Sequence, residues 1–143
     1  MKVDRHAEAE WLGGVRDGSG SLSTDSGVLK NATYGFKSRF ESGPGTNPEE
    51  LLAAAHAGCF SMAVSGALTQ ANTPPERIHT TATVTVEKQE SGFVITKSAL
   101  VLHAKVPGID KEKFEQIANG AKANCPVSKL FKAEITLEIH LDS

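Results

Sequence analysis

A chain of 143 residues with 39% hydrophobic and 22% charged side chains has the size and composition of one soluble domain with its own core, and is neither a disordered tail nor a scaffold dependent on disulfide staples. Its formal net charge of −2 leaves no electrostatic footprint for nucleic acid or an anionic membrane surface.

Met1 to Glu10 reads MKVDRHAEAE, without the apolar run of a secretory leader. The first 46 residues are rich in Gly, Ser and Thr. They predict short strands at His6–Leu12, Ser19–Thr24 and Val28–Lys30, then an extended segment over Tyr34–Glu41. Gly18-Ser19-Gly20 resembles a phosphate loop only faintly and is better explained by turns.

Asn47-Pro48-Glu49-Glu50 is a helix start. Asn47 can cap, Pro48 suits the first helical position, and Glu50 stands where a capping box closes. The helix is expected to reach Gln70 and stop before Pro74-Pro75. Leu51 to Leu68 is apolar or small nearly all round, so it must be buried on most sides. It is interrupted by His56, Ser61 and Ser65 and falls short of the ~18 apolar residues of a membrane span. The cytoplasm is the expected location, where a structural disulfide is not expected.

Thr80–Glu87 and Phe93–Val106 read as a hairpin across Gln89-Glu90-Ser91-Gly92. Asp110 can cap a second helix with Phe114, Ile117, Ala118 and Ala121 on one stripe. Cys125-Pro126 breaks that pattern and can open a short third helix. Glu134–Leu141 alternates cleanly and closes the chain. The order gives an α+β fold with antiparallel sheets around a long central helix. One sheet cannot easily enclose such a helix, so a homodimer sharing a core is expected.

The two cysteines are the sharpest chemical feature. Cys59 lies mid-helix, where a small core residue is an equally good reading. Cys125 stands at a helix start, where a thiol pKa can be lowered. A nucleophilic Cys59 must be a thiolate, yet burial opposes ionisation. The helix start, at Glu49, is roughly 15 Å away, beyond the reach of the helix dipole. A close, poorly hydrated cation could supply the stabilisation. Arg39, among Phe36, Lys37, Ser38 and Phe40, is a candidate, and Glu49 or Glu50 could hold it by a bidentate pair. The helical wheel favours Glu49, ~80° from Cys59, with Glu50 on the opposite face. Helix capping and a surface ion pair remain alternatives for these residues. His56, three residues before Cys59, could pair with it in acyl-transfer chemistry or join Cys59 and Cys125 as zinc ligands. A satisfied core histidine is the commoner outcome. A metal- or small-ligand-binding module using these three residues is one competing function, and a dimeric scaffold with core cysteines is another.

Several stretches resemble the OsmC/Ohr family, and its OsmC branch in particular. They are Ser23-Thr24-Asp25-Ser26-Gly27-Val28-Leu29, Tyr34-Gly35-Phe36 leading to Arg39-Phe40-Glu41, and Gly45-Thr46-Asn47-Pro48-Glu49-Glu50-Leu51. Ala54-Ala55-His56-Ala57-Gly58-Cys59-Phe60-Ser61-Met62-Ala63, Val106-Pro107-Gly108-Ile109-Asp110 and Ala123-Asn124-Cys125-Pro126-Val127-Ser128 complete the match. The resemblance implies a single OsmC-like domain in an intertwined homodimer. It implies a cysteine-based peroxidase acting on organic hydroperoxides and, less efficiently, on hydrogen peroxide, without metal, flavin or haem. Cys59 would be the peroxidatic cysteine and Cys125 the resolving one, with Arg39 and Glu49 as the activating pair and Glu50 beside them. A dithiol would be the reductant, lipoyl-type dithiols serving the Ohr branch.

Overall fold

The computed structural model describes residues 1–142. The chain divides into two compact units, Met1–Leu51 and Leu52–Ser143.

The first unit carries a three-stranded antiparallel sheet, β1 (Ala7–Leu12), β2 (Ser19–Thr24) and β3 (Ala32–Tyr34), in that order. The third strand starts two residues beyond the expected Val28–Lys30, where the chain instead turns. The Thr24 hydroxyl accepts the Leu29 N–H at 3.1 Å and the Ser23 hydroxyl accepts the Asn31 N–H at 2.9 Å. Asn31, at φ 49°, supplies a left-handed turn residue that Asn tolerates. Gly20 pairs with Trp11 on one side and Tyr34 on the other. Its missing side chain lets both rings close over the strand: a Cβ there would collide with Tyr34 and meet Trp11 Cε3 at 2.6 Å. Gly20 is therefore a strand residue making room for aromatics, not part of a turn.

The segment expected to be extended over Tyr34–Glu41 contains a short helix, α1 (Phe36–Phe40). The Ser38 hydroxyl decides this locally. It accepts the Gly35 N–H at 2.9 Å and donates to the Thr46 carbonyl at 2.8 Å, winding the backbone at Gly35 and tying the turn to the next loop.

The long helix α2 runs Pro48–Gln70, at the predicted limits. Its start is capped as expected, since Asn47 Oδ1 accepts the Glu50 N–H at 2.7 Å. The Glu50 carboxylate does not close a capping box; it takes the Thr46 hydroxyl at 2.8 Å.

The second unit holds β4 (Arg77–Gln89), β5 (Gly92–Lys105), α3 (Lys111–Asn124), α4 (Pro126–Leu130) and β6 (Glu134–Asp142). The hairpin β4–β5 is antiparallel with a bulge at Thr85/Val86. The last strand departs from the antiparallel expectation, because β6 pairs parallel to β5. Clean alternation reports one dry face, not strand direction. The direction follows from α3, which carries the chain back along the sheet as parallel neighbours require. Phe60, Val64 and Leu68 of α2 form one core with Leu100, Leu102 and Ala104 of β5 and Phe114, Ala118 and Ala121 of α3.

By length and composition α2 could cross a membrane, contrary to the reading of its sequence. It is instead the core helix of this unit on one face only. His56, Phe60, Val64 and Leu68 are buried at four-residue spacing, while Ala55, Gly58, Met62 and Gly66 are exposed.

Candidate active site

Arg39 is set by α1 and Glu49 by the first turn of α2. Arg39 donates from Nε to Glu49 Oε1 at 3.0 Å and from Nη2 to Oε2 at 2.9 Å, the parallel fork that only a guanidinium can make. The Glu49 side chain is 8% exposed and that of Arg39 37%, so the carboxylate is enclosed and the guanidinium keeps an open face. The helix α1 also sets Phe36 and Phe40 edge to face, their rings 5.2 Å apart. Arg39 lies 5.0 Å over Phe40, and Arg16 lies 4.7 Å over Phe36, both within cation–π range. Arg39 borders a pocket of about 300 Å³ lined mainly by Trp11, Val15, Tyr34, Phe36 and Phe40. Of the two glutamates, Glu49 holds Arg39 and Glu50 is an exposed capping-region residue.

Cys59 and Cys125 are both free thiols. Helix α2 presents Cys59 part-buried, packed against the core cluster that contains Cys125. Cys125 is 0% exposed and sits at a joint. Its N–H donates to Ala121 O, closing α3, and its sulfur accepts the Ser128 N–H at 3.5 Å, opening α4. Pro126 then occupies the first helical position, where its missing N–H costs nothing. The two thiols thus meet in one packed cluster. Burial pushes the Cys59 thiol up, opposed by the Val127 N–H and reinforced by Cys125. At Cys125 burial also pushes upward, but the Ser128 N–H, the Cys59 thiol, the Ser128 hydroxyl and the Val127 N–H together hold it below its ordinary value. Burial thus opposes ionisation at Cys59, while converging donors favour it at Cys125. The helix-start reading of Cys125 and the expected burial penalty at Cys59 both agree with these directions. The reason is local, since backbone donors converge on Cys125 while Cys59 sits mid-helix with its neighbours' N–H groups already bonded.

His56 is a satisfied core histidine. It is fully buried, with Nδ1 2.7 Å from Ser98 Oγ and Nε2 2.8 Å from Ser128 Oγ. Both ring nitrogens are taken, so it can neither ligate a metal nor abstract a proton from Cys59 as arranged. Among the described residues no group of three potential ligands is poised for a metal. Ser98 and Ser128 were missed by the sequence reading. Ser98 carried a signal: a hydroxyl in the buried row Ser98, Leu100, Leu102, Ala104 of β5 demands a partner.

The chain is similar to known proteins over its whole length. Residues 41–140 match the family model described as OsmC-like protein. The chain belongs to that family. It is 51% identical over all 143 residues, and over the full length of both chains, to peroxiredoxin OsmC of Escherichia coli K12. It is 27% identical over 124 residues to the organic hydroperoxide resistance protein OhrB of Bacillus subtilis, covering 86% of this chain and 89% of the other. The crystal structure of that OhrB superposes with a TM-score of 0.66 over 96% of this chain and 98% of its own. An organic hydroperoxide resistance protein from Elizabethkingia anophelis gives 0.71 at 26% identity, covering 100% and 99%. The two sheets and long helix are thus the OsmC-like α+β fold.

Proposed function

We propose that this OsmC-like protein reduces organic hydroperoxides to alcohols through Cys59 and Cys125, with hydrogen peroxide a poorer substrate. It is a peroxide-reducing enzyme, as its full-length identity to peroxiredoxin OsmC supports. The observation that carries the finer reading is a pair of free thiols in one packed cluster, Cys59 part-exposed and Cys125 sealed. Only Cys59 can be met by an incoming peroxide. Cys125 accepts its proton, and the Cys59 thiolate attacks the outer peroxide oxygen. The O–O bond breaks, Cys59 becomes a sulfenic acid, and the alkoxide leaves and takes a proton. The Cys125 sulfur then attacks the Cys59 sulfur, expelling hydroxide and forming a disulfide. A dithiol donor returns both thiols by exchange. The sum is one hydroperoxide and two thiols to one alcohol, one disulfide and one water.

The role of Arg39 and Glu49 in favouring the Cys59 thiolate rests on the family resemblance and on a guanidinium fixed by a buried carboxylate. The aromatic pocket beside Arg39 suits an apolar organic group more than hydrogen peroxide. The exposed face of α2, with Met62 79% exposed between Gly58 and Gly66, is suited to a second copy of the chain, as the resemblance implies. In this reading both units work as one OsmC-like domain.

The test is one equivalent of cumene hydroperoxide under metal-free conditions. Two thiols should vanish per chain, the mass should fall by two hydrogens, and a Cys59–Cys125 peptide should be found. Survival of both thiols for an hour would overturn the proposal.

A further inference from the structure

The hydrogen-bond chain behind Cys125 has no part in the scheme above. Ser98 of β5, His56 of α2 and Ser128 of α4 come from distant parts of the sequence and meet in the core, at 2.7 and 2.8 Å. Each is at most 6% exposed. Burial lowers the His56 pKa, so the ring is neutral, and a neutral ring donates from one nitrogen and accepts at the other. Ser128 in turn gives its N–H to the Cys125 sulfur at 3.5 Å. In either neutral tautomer the ring ties the Ser98 and Ser128 hydroxyls together. The contacts run from Ser98 through His56 and Ser128 to Cys125. Phe131 closes edge-on over the imidazole, 5.0 Å between ring centres, and restrains its plane.

We propose that His56 is a positioning residue for the second chemical step: by holding the Ser128 side chain it keeps the Ser128 N–H aimed at the Cys125 sulfur, so that Cys125 is ready to attack the Cys59 sulfenic acid. Without that anchor the first turn of α4 would lose this aim. Every proton in the chain stays on its own residue, and the step itself is the disulfide formation already written. The inference rests on that two-cysteine reading. The titratable group facing the Cys125 sulfur is Cys59 on α2, and the remaining groups that act on it are the neutral donors of Ser128 and Val127.

The experiment uses the full-length protein with His56→Phe and Ser128→Ala, and Ser128→Thr as the conservative variant. Each is mixed with one equivalent of cumene hydroperoxide, and quenched samples are assayed for dimedone-trapped sulfenic acid and for disulfide. Losing the hold on the Ser128 donor predicts sulfenic acid persisting about tenfold longer in His56→Phe and Ser128→Ala, with Ser128→Thr close to the parent. A second readout removes the peroxide. In a Cys59→Ser background, the thiolate absorbance of Cys125 should titrate at higher pH once His56 or Ser128 is replaced. If His56→Phe fails to fold, Ser128→Ala carries both measurements. Parent-like sulfenic acid lifetime and an unmoved titration would overturn the proposal while leaving the two-cysteine reaction intact. Absence of disulfide in the parent itself would overturn both.

Discussion

Arg39 grips Glu49 through two parallel hydrogen bonds of 3.0 and 2.9 Å, with the carboxylate buried and the guanidinium part-open. Glu50, one residue on, is exposed, and its carboxylate takes the Thr46 hydroxyl instead. The two adjacent acids therefore have different jobs. Glu49→Gln should loosen Arg39 and slow the reaction of Cys59 with cumene hydroperoxide about tenfold, the worth of a charge-assisted hydrogen bond. Glu50→Gln should stay within about twofold. Stopped-flow rates for the two variants settle the assignment, and equal effects would refute it. Arg39→Ala should slow Cys59 alkylation near neutral pH.

The two cysteines predict distinct failures. Cys59→Ser should show no turnover. Cys125→Ser should react once and then hold a sulfenic acid that excess peroxide drives to the sulfinic state. Intact-mass measurement after peroxide distinguishes a gain of oxygen from the loss of two hydrogens. Sustained dithiol-driven cycling by Cys125→Ser would remove its resolving role.

His56 should set an acid limit on stability. Its folded pKa lies below the ordinary 6.5 because burial disfavours the imidazolium. The unfolded chain thus binds the extra proton first. The stabilisation is fully present above about pH 6.5 and is lost as pH falls through the lower folded value. Thermal melting at a series of pH values from neutral to mildly acid should show this decline. In His56→Phe it should flatten, on a lower plateau.

The exposed stripe Ala55, Gly58, Met62 and Gly66 on α2 predicts self-association through close helix approach. Met62→Lys places a charge at its centre, and burying an unpaired charge costs several kcal/mol. The parent should run as a dimer by light scattering and Met62→Lys as a monomer or weaker dimer. A monomeric parent would refute the prediction.

What was legible in the sequence is what is decided within a few residues. The Asn47 cap, the Pro48 start, the β4–β5 hairpin, the alternation of β6 and the stripe of Phe114, Ala118 and Ala121 all follow from local spacing. α1 escaped because one hydroxyl, Ser38, reaches a carbonyl eight residues away. The direction of β6 escaped because alternation is the same in either sense. The neighbourhood of Cys125 was legible only in part. Its place at a helix start is local, but Ser98 and Ser128 reach His56 across 42 and 72 residues, and no spacing encodes that meeting.

Cys125 ends one helix and begins the next, so it has no position independent of that junction. An added residue elsewhere in the crossover can be absorbed by a loop. One added inside the last turn of α3 would swing the sulfur by ~100° about the helix axis, away from Cys59 and from its donors. The same length change in the Gln89–Gly92 hairpin turn would leave the thiols where they are. The most length-sensitive place in this enzyme is therefore the short return path between two parallel strands, and a library of single-residue insertions should show its sharpest loss of activity there.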